Sequence, residues 1–285
     1  LSESVTYSFT SPKFVNQLNL DENDTARNAI KLVNPLGEAL SVMRTTLTHS
    51  MIETMCYNIT HFNKGAKLFE VAKVYLPKEL PLKELPYEES RLCIGMYGEG
   101  VDFFTIKSAL EETFKALHIN EKFVRSARPY LHTGRGAEII VDGKSVGFVG
   151  EVHPDVADNY GIDNFRLYVA EVSIDKIFNE KRLEKSKFTP FSKFPIIERD
   201  LAVVVDDSVL AGDMTDAVLG AKIKYLTDAK VFDTYKSEQI GQGKKSVAMS
   251  FAFSSLERTL TDDEIATEMA KILSVLKRKV GAKIR

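Results

Sequence analysis

Cysteines and long apolar runs are scarce in this sequence. The 285 residues include two cysteines, Cys56 and Cys93, which lie far apart and form neither a CxxC unit nor a zinc-type spacing. Two buried free thiols in a reducing compartment are therefore expected. The longest apolar run lies near residues 201–205 and is too short to span a membrane. No charged-then-apolar leader is visible, so no signal peptide is expected, and a chain that begins at Leu1 is expected to be part of a longer protein.

An excess of charge of one sign is also missing. The chain carries 38 Lys and Arg against 40 Asp and Glu, a formal net charge of −2, and 44% of its residues are hydrophobic. This composition is typical of a globular protein with one large or two smaller domains. The overall charge gives no sign of nucleic-acid binding, but a local face can be basic while the sum is neutral.

Motifs for hydrolytic or metal chemistry are absent as well. No GxSxG or HExxH occurs, and no pair of histidines has ligand spacing on one element. His132 and His153 each lie at a strand end beside a turn, which favours structural hydrogen bonding over catalysis. Glu138 and Glu151 lie on two facing strands, so an acid pair for hydrolysis is an alternative that nothing else supports. We expect no catalytic residue and no metal ligand in this chain.

The first part of the chain is rich in strands. Alternating apolar residues predict strands at residues 5–10, 30–33, 68–75, 91–97, 138–141, 146–152 and 166–174. Helices are predicted from Ser11-Pro12 to Leu18, over the four-residue repeat of Leu47, Met51, Met55 and Ile59, and from a cap at Asp102 to Leu117. Asp142-Gly143 marks a tight hairpin. The result is a largely antiparallel sheet with flanking helices, an α+β arrangement.

The last part of the chain has a simple order of elements. A charged stretch at residues 180–187 and prolines at 190 and 195 indicate a boundary, so the predicted domains are residues 1–185 and 190–285. The second domain is predicted to contain strand 200–205, helix 212–223, strands 228–235 and 246–253, a helix after a capping box at Thr261 to Glu264, and strand 282–285. The order β-α-β-β-α-β predicts a ferredoxin-like domain.

One strand of the second domain suggests a binding surface. In SVAMSFAF, residues 246–253, large apolar side chains alternate with small ones, so the strand would bury the first set and present a flat face of small residues. Lys283 and Arg285 on the last strand would border that face with positive charge. A solvated open sheet is one interpretation, and a surface for an RNA backbone or a few bases is the other.

Several segments, taken in order, are similar to one family. They are VTYSFTSP (5–12), NPLGEALSVMRTTL (34–47), LFEVAKVY (68–75), HTGRGAEI (132–139), GEVHPDV (150–156), KFPIIERDLAVVV (193–205), VFDTY (231–235), GQGKKSVA (241–248) and RTLTDDEIATEM (258–269). Together they resemble the C-terminal part of the β chain of bacterial phenylalanyl-tRNA synthetase, over nearly the whole chain. The resemblance implies a class II synthetase-like core, an antiparallel sheet with flanking helices, followed by a ferredoxin-fold anticodon-binding domain.

The resemblance further implies that the core is pseudo-catalytic. In the family's catalytic α chain the strand matching KLFEVAKVYL (67–76) ends in an arginine that holds ATP, and here that position is Leu76. The later matching stretch, LYVAEVSIDKI (167–177), lacks the family's glycines and arginine. Adenylation needs fixed positive charge against the triphosphate, so this chain alone is expected to be inactive. ATP and Mg²⁺ would serve only the assembled enzyme, and the editing domain with its metal ligands would lie upstream of Leu1.

The resemblance also implies binding partners. These are the catalytic α chain, in a cytoplasmic α2β2 ligase, and tRNA-Phe, with no membrane. The α chain would meet the helix that carries Met51 and Met55, with Thr54 and Asn58 on its exposed flank; the alternative is that the apolar stripe of this helix is ordinary core. A stand-alone RNA-binding or protein-interaction module that reuses these domains is the alternative function.

Six cations are the candidates for RNA contact. They are Arg199, Lys244, Lys245, Arg258, Lys283 and Arg285. Arg199 and Arg258 have Asp200 and Asp262 nearby as ion-pair partners, and a structural role is the alternative for both. Lys244 and Lys245 follow the turn at 241–243, which is either a plain hairpin turn or a contact to an RNA backbone. No obvious partner is visible for these two lysines or for Arg285.

Overall fold

Strands with a buried face recur through the first 180 residues. The computed structural model describes residues 1–180, 190 and 192–284, and the chain divides into two units with separate hydrophobic cores, Leu1–Ser186 and Lys187–Arg285. We name them the larger unit and the smaller unit. The charged stretch predicted to hold the boundary lies almost wholly outside the described residues, so the domain limits of 1–185 and 190–285 stay a prediction.

The larger unit contains nine strands and five helices within its described residues. The strands are β1 (Ser2–Glu3), β2 (Phe9–Thr10), β3 (Val42–Met43), β4 (Ala66–Leu76), β5 (Tyr87–Tyr97), β6 (Glu121–Arg125), β7 (Leu131–Val141), β8 (Lys144–Val152) and β9 (Tyr168–Ser173). The helices are α1 (Phe14–Gln17), α2 (Thr48–Thr60), α3 (Phe103–Ala116), α4 (Pro154–Asn159) and α5 (Ile174–Glu180).

Seven of these strands form one sheet with a helix layer on each face. Its order is β1-β4-β5-β9-β8-β7-β6, with every neighbouring pair antiparallel except β1 and β4. On one face α2 packs so closely that a Cβ at Gly95 would lie 2.5 Å from Met51 Cγ, so a larger residue there would force the Met51 side chain to move. On the other face α3 buries Ile106, Leu110 and Phe114. The predicted α+β class, an antiparallel sheet with flanking helices, is confirmed.

Two of the predicted strands are wrong over most of their length. Of residues 5–10 only Phe9–Thr10 forms a strand, because Thr6 donates its backbone N–H (3.2 Å) and hydroxyl (2.8 Å) to the carboxylate of Glu70 instead of joining a ladder. In the segment 30–33, Lys31 makes a single bridge to Val42. A buried carboxylate and a short loop thus override the local alternation of apolar residues.

The smaller unit has the predicted order of elements. Its elements are β10 (Ile197–Asp206), α6 (Ala211–Leu219), β11 (Leu226–Tyr235), β12 (Lys244–Phe253), α7 (Asp262–Val280) and β13 (Lys283–Ile284). The sheet order is β11-β12-β10-β13, and both helices cover one face. The capping box is present, since Thr261 Oγ1 accepts the N–H of Glu264 and the Glu264 carboxylate accepts the N–H of Thr261. The ferredoxin-like prediction is confirmed.

Candidate functional site

A polar cavity of about 260 Å³ lies on the α2 face of the larger unit's sheet. Leu76, at the end of β4, is part of its wall, as are residues from β5, β8, β9 and the segment before α2. Its charged lining residues are Asp24, Glu89, Arg91, Arg128, Glu171 and Lys176. Leu76, which the resemblance singled out, therefore lines the same cavity as Arg91 and Arg128. The sequence reasoning did not identify these two arginines.

Arg91 is held between two carboxylates. Its Nε lies 2.7 Å from Glu89 Oε1 and its Nη1 lies 2.6 Å from Glu171 Oε1. Glu89 and Arg91 are two residues apart on one strand, so their side chains share a face of the sheet. Burial alone would lower the pKa of Arg91, but the carboxylates of Glu171 and Glu89 outweigh burial and raise it. The positive charge of Arg91 is thus already neutralised by the protein.

Glu171 is also the cap of α2. The carboxylate is 2% exposed and accepts hydrogen bonds from the hydroxyls of Thr46 and Thr48, both at 2.6 Å, and from the Thr48 N–H at 2.8 Å. A carboxylate at a helix N-terminus satisfies free N–H groups and opposes the positive end of the helix dipole. Burial raises its pKa, and the charge of Arg91 with the threonine hydrogen bonds more than reverses this, so the pKa of Glu171 is lowered.

Arg128 is neutralised in the same way. Its guanidinium makes two parallel bonds to the Glu138 carboxylate, at 2.6 and 3.0 Å, and a third to the Tyr130 hydroxyl at 2.8 Å. It also lies over the Phe148 ring, 4.5 Å from the ring centroid. Burial raises the pKa of Glu138, but the bond and charge of Arg128 outweigh burial and lower it. Neither arginine of the cavity is left free for an added anion.

The histidines have structural hydrogen bonds, as predicted. His132 Nδ1 accepts the Gly134 N–H at 3.0 Å, and His153 Nδ1 accepts the Asp155 N–H at 3.3 Å, where it caps α4. Glu138 and Glu151 form no acid pair, because each binds an arginine of its own. Among the described residues no cluster of three or more His, Cys, Asp or Glu side chains is arranged to hold a metal ion.

An open groove runs along the outer side of α2. Apolar and polar residues share its wall: Val5, Thr6, Tyr7, Phe9, Thr10, Ala39, Leu40, Ser50, Glu53, Thr54 and Tyr57. Tyr7 and Tyr57 are 73% and 63% exposed. Thr54 lies in the groove, whereas Asn58 is one turn further along and donates its amide to the Thr54 carbonyl at 2.9 Å.

The apolar stripe of α2 faces inward. Leu47, Met51 and Met55 are fully buried in the larger unit's own core, and Ile59 is partly buried against it. Of the two interpretations offered by the sequence, ordinary core is therefore right for this stripe. The groove is a separate surface on the opposite flank of the helix.

The candidate cations of the smaller unit form more ion pairs and hydrogen bonds than the sequence indicated. Arg199 pairs with Asp262 at 2.6 Å, and Arg258 makes a two-pronged pair with Glu264 at 2.6 and 2.8 Å, rather than with Asp262. The bond and charge of Arg258 lower the pKa of Glu264 to about 2. Both arginines thus have the structural partners that sequence proximity suggested in general terms.

The sequence showed no obvious partner for Lys244 or Lys245, and the structure supplies a hydrogen bond for Lys245. Lys245 Nζ donates to the Asp207 carbonyl oxygen at 3.0 Å. Lys244 stands opposite Asp206 in the ladder, and its charge contributes, after the hydrogen bonds of Ser208, to lowering the pKa of that aspartate. The pairing of β10 with β12 brings the lysines next to Asp206 and Asp207. These residues are far apart in sequence, so the sequence did not show that they are neighbours. Arg285 lies outside the described residues.

The open face of the smaller sheet is bordered by acids as well as by Lys283. The large apolar residues of β12 are buried, as predicted. On the outer face, however, Glu198 and Asp228 flank Ala252 from the two neighbouring strands, and Asp200 lies opposite Ser250. Sequence reasoning expected only positive charge at the border, because strand register was not visible. It also missed an aromatic side chain on this sheet, Phe232, which is 60% exposed.

Comparison with known proteins agrees with this architecture. Residues 1–174 match the family described as "Phenylalanyl tRNA synthetase beta chain CLM domain", and residues 192–285 match "Ferredoxin-fold anticodon binding domain". The two matches define a module of an aminoacyl-tRNA synthetase subunit. The chain belongs to the phenylalanyl-tRNA synthetase beta chain family.

Named relatives cover the whole chain. Phenylalanine–tRNA ligase beta subunits from Clostridium tetani, Clostridium acetobutylicum and Carboxydothermus hydrogenoformans are 42%, 39% and 34% identical to it. Each alignment covers 100% of this chain and 36% or 37% of the relative. The chain thus spans a little over a third of the length of these relatives. Within its described residues, no helix is both apolar enough and long enough to cross a membrane.

Proposed function

We propose that this chain is a non-catalytic part of phenylalanine–tRNA ligase, an ATP- and Mg²⁺-dependent enzyme of the cytoplasm. The larger unit pairs with the catalytic α chain in an α2β2 assembly, and the smaller unit contacts the anticodon region of tRNA-Phe. Family membership and the relatives' shared name, phenylalanine–tRNA ligase beta subunit, support the proposal.

The observation that carries the non-catalytic role is the charge balance of the cavity. Arg91 and Arg128 are each bound by carboxylates of the chain itself, and Leu76 stands at the end of β4. A triphosphate needs positive charge that is fixed in place and not already paired. The remaining cation of the lining, Lys176, is exposed, so fixed charge for a triphosphate would have to come from breaking the two ion pairs, which typically costs several kcal/mol for buried pairs.

The groove beside α2 is the proposed contact for the α chain. Its exposed Tyr7 and Tyr57 are the kind of side chains that anchor protein interfaces, and Thr54 lines the same groove. Asn58 extends the same flank by one turn. Pairing through this surface leaves the buried stripe of α2 in its own core.

RNA contact is proposed for the smaller unit. Its sequence candidates divide into two groups: Arg199 and Arg258, which bind carboxylates near the start of α7, and Lys244, Lys245, Lys283 and Arg285 elsewhere. Phe232 offers an exposed ring next to the sheet, on which a base can stack.

The deciding experiment uses the full-length β subunit. Co-expression with the α chain should yield a complex that charges tRNA with phenylalanine, and deletion of residues 192–285 should raise KM for tRNA while adenylate formation is unchanged. Replacement of Lys244, Lys245 and Arg285 by alanine should shift KM in the same direction. Failure of the subunits to co-purify, or an unchanged KM after the deletion, would contradict the proposal.

A further inference from the structure

The two ends of α7 carry opposite charge. The helix begins with Asp262, Asp263 and Glu264 and ends with Lys277, Arg278 and Lys279. At 1.5 Å per residue the ends of this 19-residue helix lie about 27 Å apart. Residues 192–284 hold fourteen acidic and fourteen basic side chains, so the net charge of the unit hides this separation.

The cations at the acidic end of α7 are already engaged, among them Lys224, which lies near Glu264 and 4.5 Å from the centroid of the Tyr225 ring. Arg199 and Arg258 are bound there to Asp262 and Glu264. The sheet adds Glu198 at the start of β10, which strand register places at the same end. An RNA phosphate approaching this end meets carboxylates whose charge is only partly compensated.

The other end is basic and uncommitted. Lys277, Arg278 and Lys279 are exposed, and within the described residues none of them forms an ion pair or a side-chain hydrogen bond. Gly281 then turns the chain in the left-handed conformation (φ 65°), and Ala282 anchors the turn in the core. The helix dipole favours cations in the last turn of α7, but it gives no reason for the exposed Lys283 beyond the turn.

Strand register extends the same end of the unit. Lys283 on β13 stands opposite Val204, and Lys244 on β12 stands opposite Asp206, on either side of β10. Two strand spacings across and two residues along place their Cα atoms about 12 Å apart. The basic end of α7 thus lies at the same end of the unit as Lys244, one of the candidate RNA-binding lysines at the start of β12.

The acids near this end have partners of their own. Asp206 accepts two hydrogen bonds from Ser208, Asp207 pairs with Lys236 at 2.6 Å, and Asp213 accepts the Leu210 N–H at 3.4 Å. None of these contacts uses a cation of α7. The charge of Lys277, Arg278 and Lys279 therefore remains available to a ligand.

We propose that Lys277, Arg278 and Lys279, together with Lys283, form the surface that binds the phosphate backbone of the RNA, and that Arg199 and Arg258 at the far end of α7 do not contact it. The inference rests on the proposed function of the smaller unit. It assigns to the last turn of α7 a role that helix stability alone does not require. The contacts are to phosphates, so they set affinity and position without reading the sequence.

The test measures tRNA affinity against salt with the full-length β subunit in complex with the α chain. The variant Lys277→Gln/Arg278→Gln/Lys279→Gln removes three charges and keeps good helix formers. The slope of log K against log salt should become shallower by about 2 to 3, since each lost phosphate contact accounts for about 0.7 to 0.9. A matched control, Arg199→Gln/Arg258→Gln/Lys224→Gln, removes the same charge at the acidic end and should leave the slope unchanged.

Two further variants keep the outcomes distinct. Lys277→Arg/Lys279→Arg preserves charge and should retain the native slope, which separates lost charge from damage to the helix. If the triple glutamine variant binds with the native slope while deletion of residues 192–285 abolishes binding, this inference is wrong and the proposed function stands. If both triple variants lose slope equally, the inference is also wrong. If the deletion itself changes nothing, the proposed function fails.

Discussion

Arg91 and Glu171 are joined across 2.6 Å inside the cavity of the larger unit, and the same carboxylate caps the start of α2. One ion pair therefore links the sheet, the cavity and the helix whose outer flank is the proposed contact for the α chain. It serves folding, and it also occupies the charge that a nucleotide would need.

Loss of Arg91 should be costly. Arg91→Leu leaves Glu89 and Glu171 buried without their cation, so the free energy of unfolding should fall by roughly 3–5 kcal/mol in urea titrations. Lys73→Leu is the matched control, since Lys73 pairs with Glu88 between β4 and β5 but both side chains are about half exposed. That change should cost much less than the loss of Arg91, because water screens an exposed pair. Equal losses in the two variants would contradict a structural role for the buried pair.

The chain alone should not activate phenylalanine. Phenylalanine-dependent exchange between ATP and pyrophosphate should stay at background, and Leu76→Arg should not restore it, because the cavity's carboxylates remain in place. Exchange assays on the purified chain, with the assembled enzyme as the positive control, measure this directly. Exchange that rises in proportion to the chain's concentration would overturn the non-catalytic assignment.

Charge in the α2 groove should block assembly. Thr54→Glu and Tyr57→Glu each place a carboxylate where the α chain is proposed to pack, and the affinity for the α chain should drop at least tenfold. Phe104→Glu is the control, because Phe104 is a 69% exposed aromatic residue on α3, at the opposite face of the sheet. Binding can be followed by titration calorimetry, with melting curves to verify folding. If both groove variants bind the α chain with native affinity, the interface does not lie in this groove.

His49 should make the larger unit sensitive to acid. The ring is 1% exposed, its Nδ1 lies 2.6 Å from the Tyr160 hydroxyl, and burial lowers its pKa from 6.5 to about 4. Between these values the unfolded chain binds a proton that the folded chain does not, so stability is lost as pH falls from about 6.5 to 4, by about 3 kcal/mol in total.

The comparison with His49→Asn isolates this effect. The variant should show a smaller loss of stability over that pH range than the native chain does. Glu53 Oε2 lies 3.2 Å from His49 Nε2, and burial raises the pKa of Glu53, which acts in the opposite direction, so both chains are also compared in a Glu53→Gln background. Tyr160 contacts the same ring, and Cys56 lies near Tyr160 and Glu53, but burial raises the pKa of both, so they stay neutral throughout. Parallel stability profiles for the native and His49→Asn chains would exclude the histidine as the cause.

Local signals predicted the elements whose cause is local. The Asp102 and Thr261 caps and the Asp142-Gly143 turn, with φ of 49° and 80°, depend on a few adjacent residues and appear as expected. The segment 5–10 depends on Glu70, more than sixty residues away, and was predicted wrongly.

The site was predicted less completely than the fold for the same reason. Leu76 was singled out by the resemblance of its strand to one in the family's catalytic α chain, but the pairing of Arg91 with Glu171 spans eighty residues, and nothing in either segment indicates it. The bond from Lys245 to Asp207 likewise follows from the register of two strands. Charges can be counted in a sequence, whereas their neutralisation is a property of tertiary structure.

The separate core of the smaller unit bears on how such proteins change over evolutionary time. Within the described residues, the buried apolar side chains of this core, from Val203 to Ala282, all belong to the smaller unit. A gene segment for this unit that is duplicated or fused to another protein therefore carries a complete hydrophobic core with it. An RNA contact carried on such a unit is inherited as a single piece, independently of the sheet that precedes it.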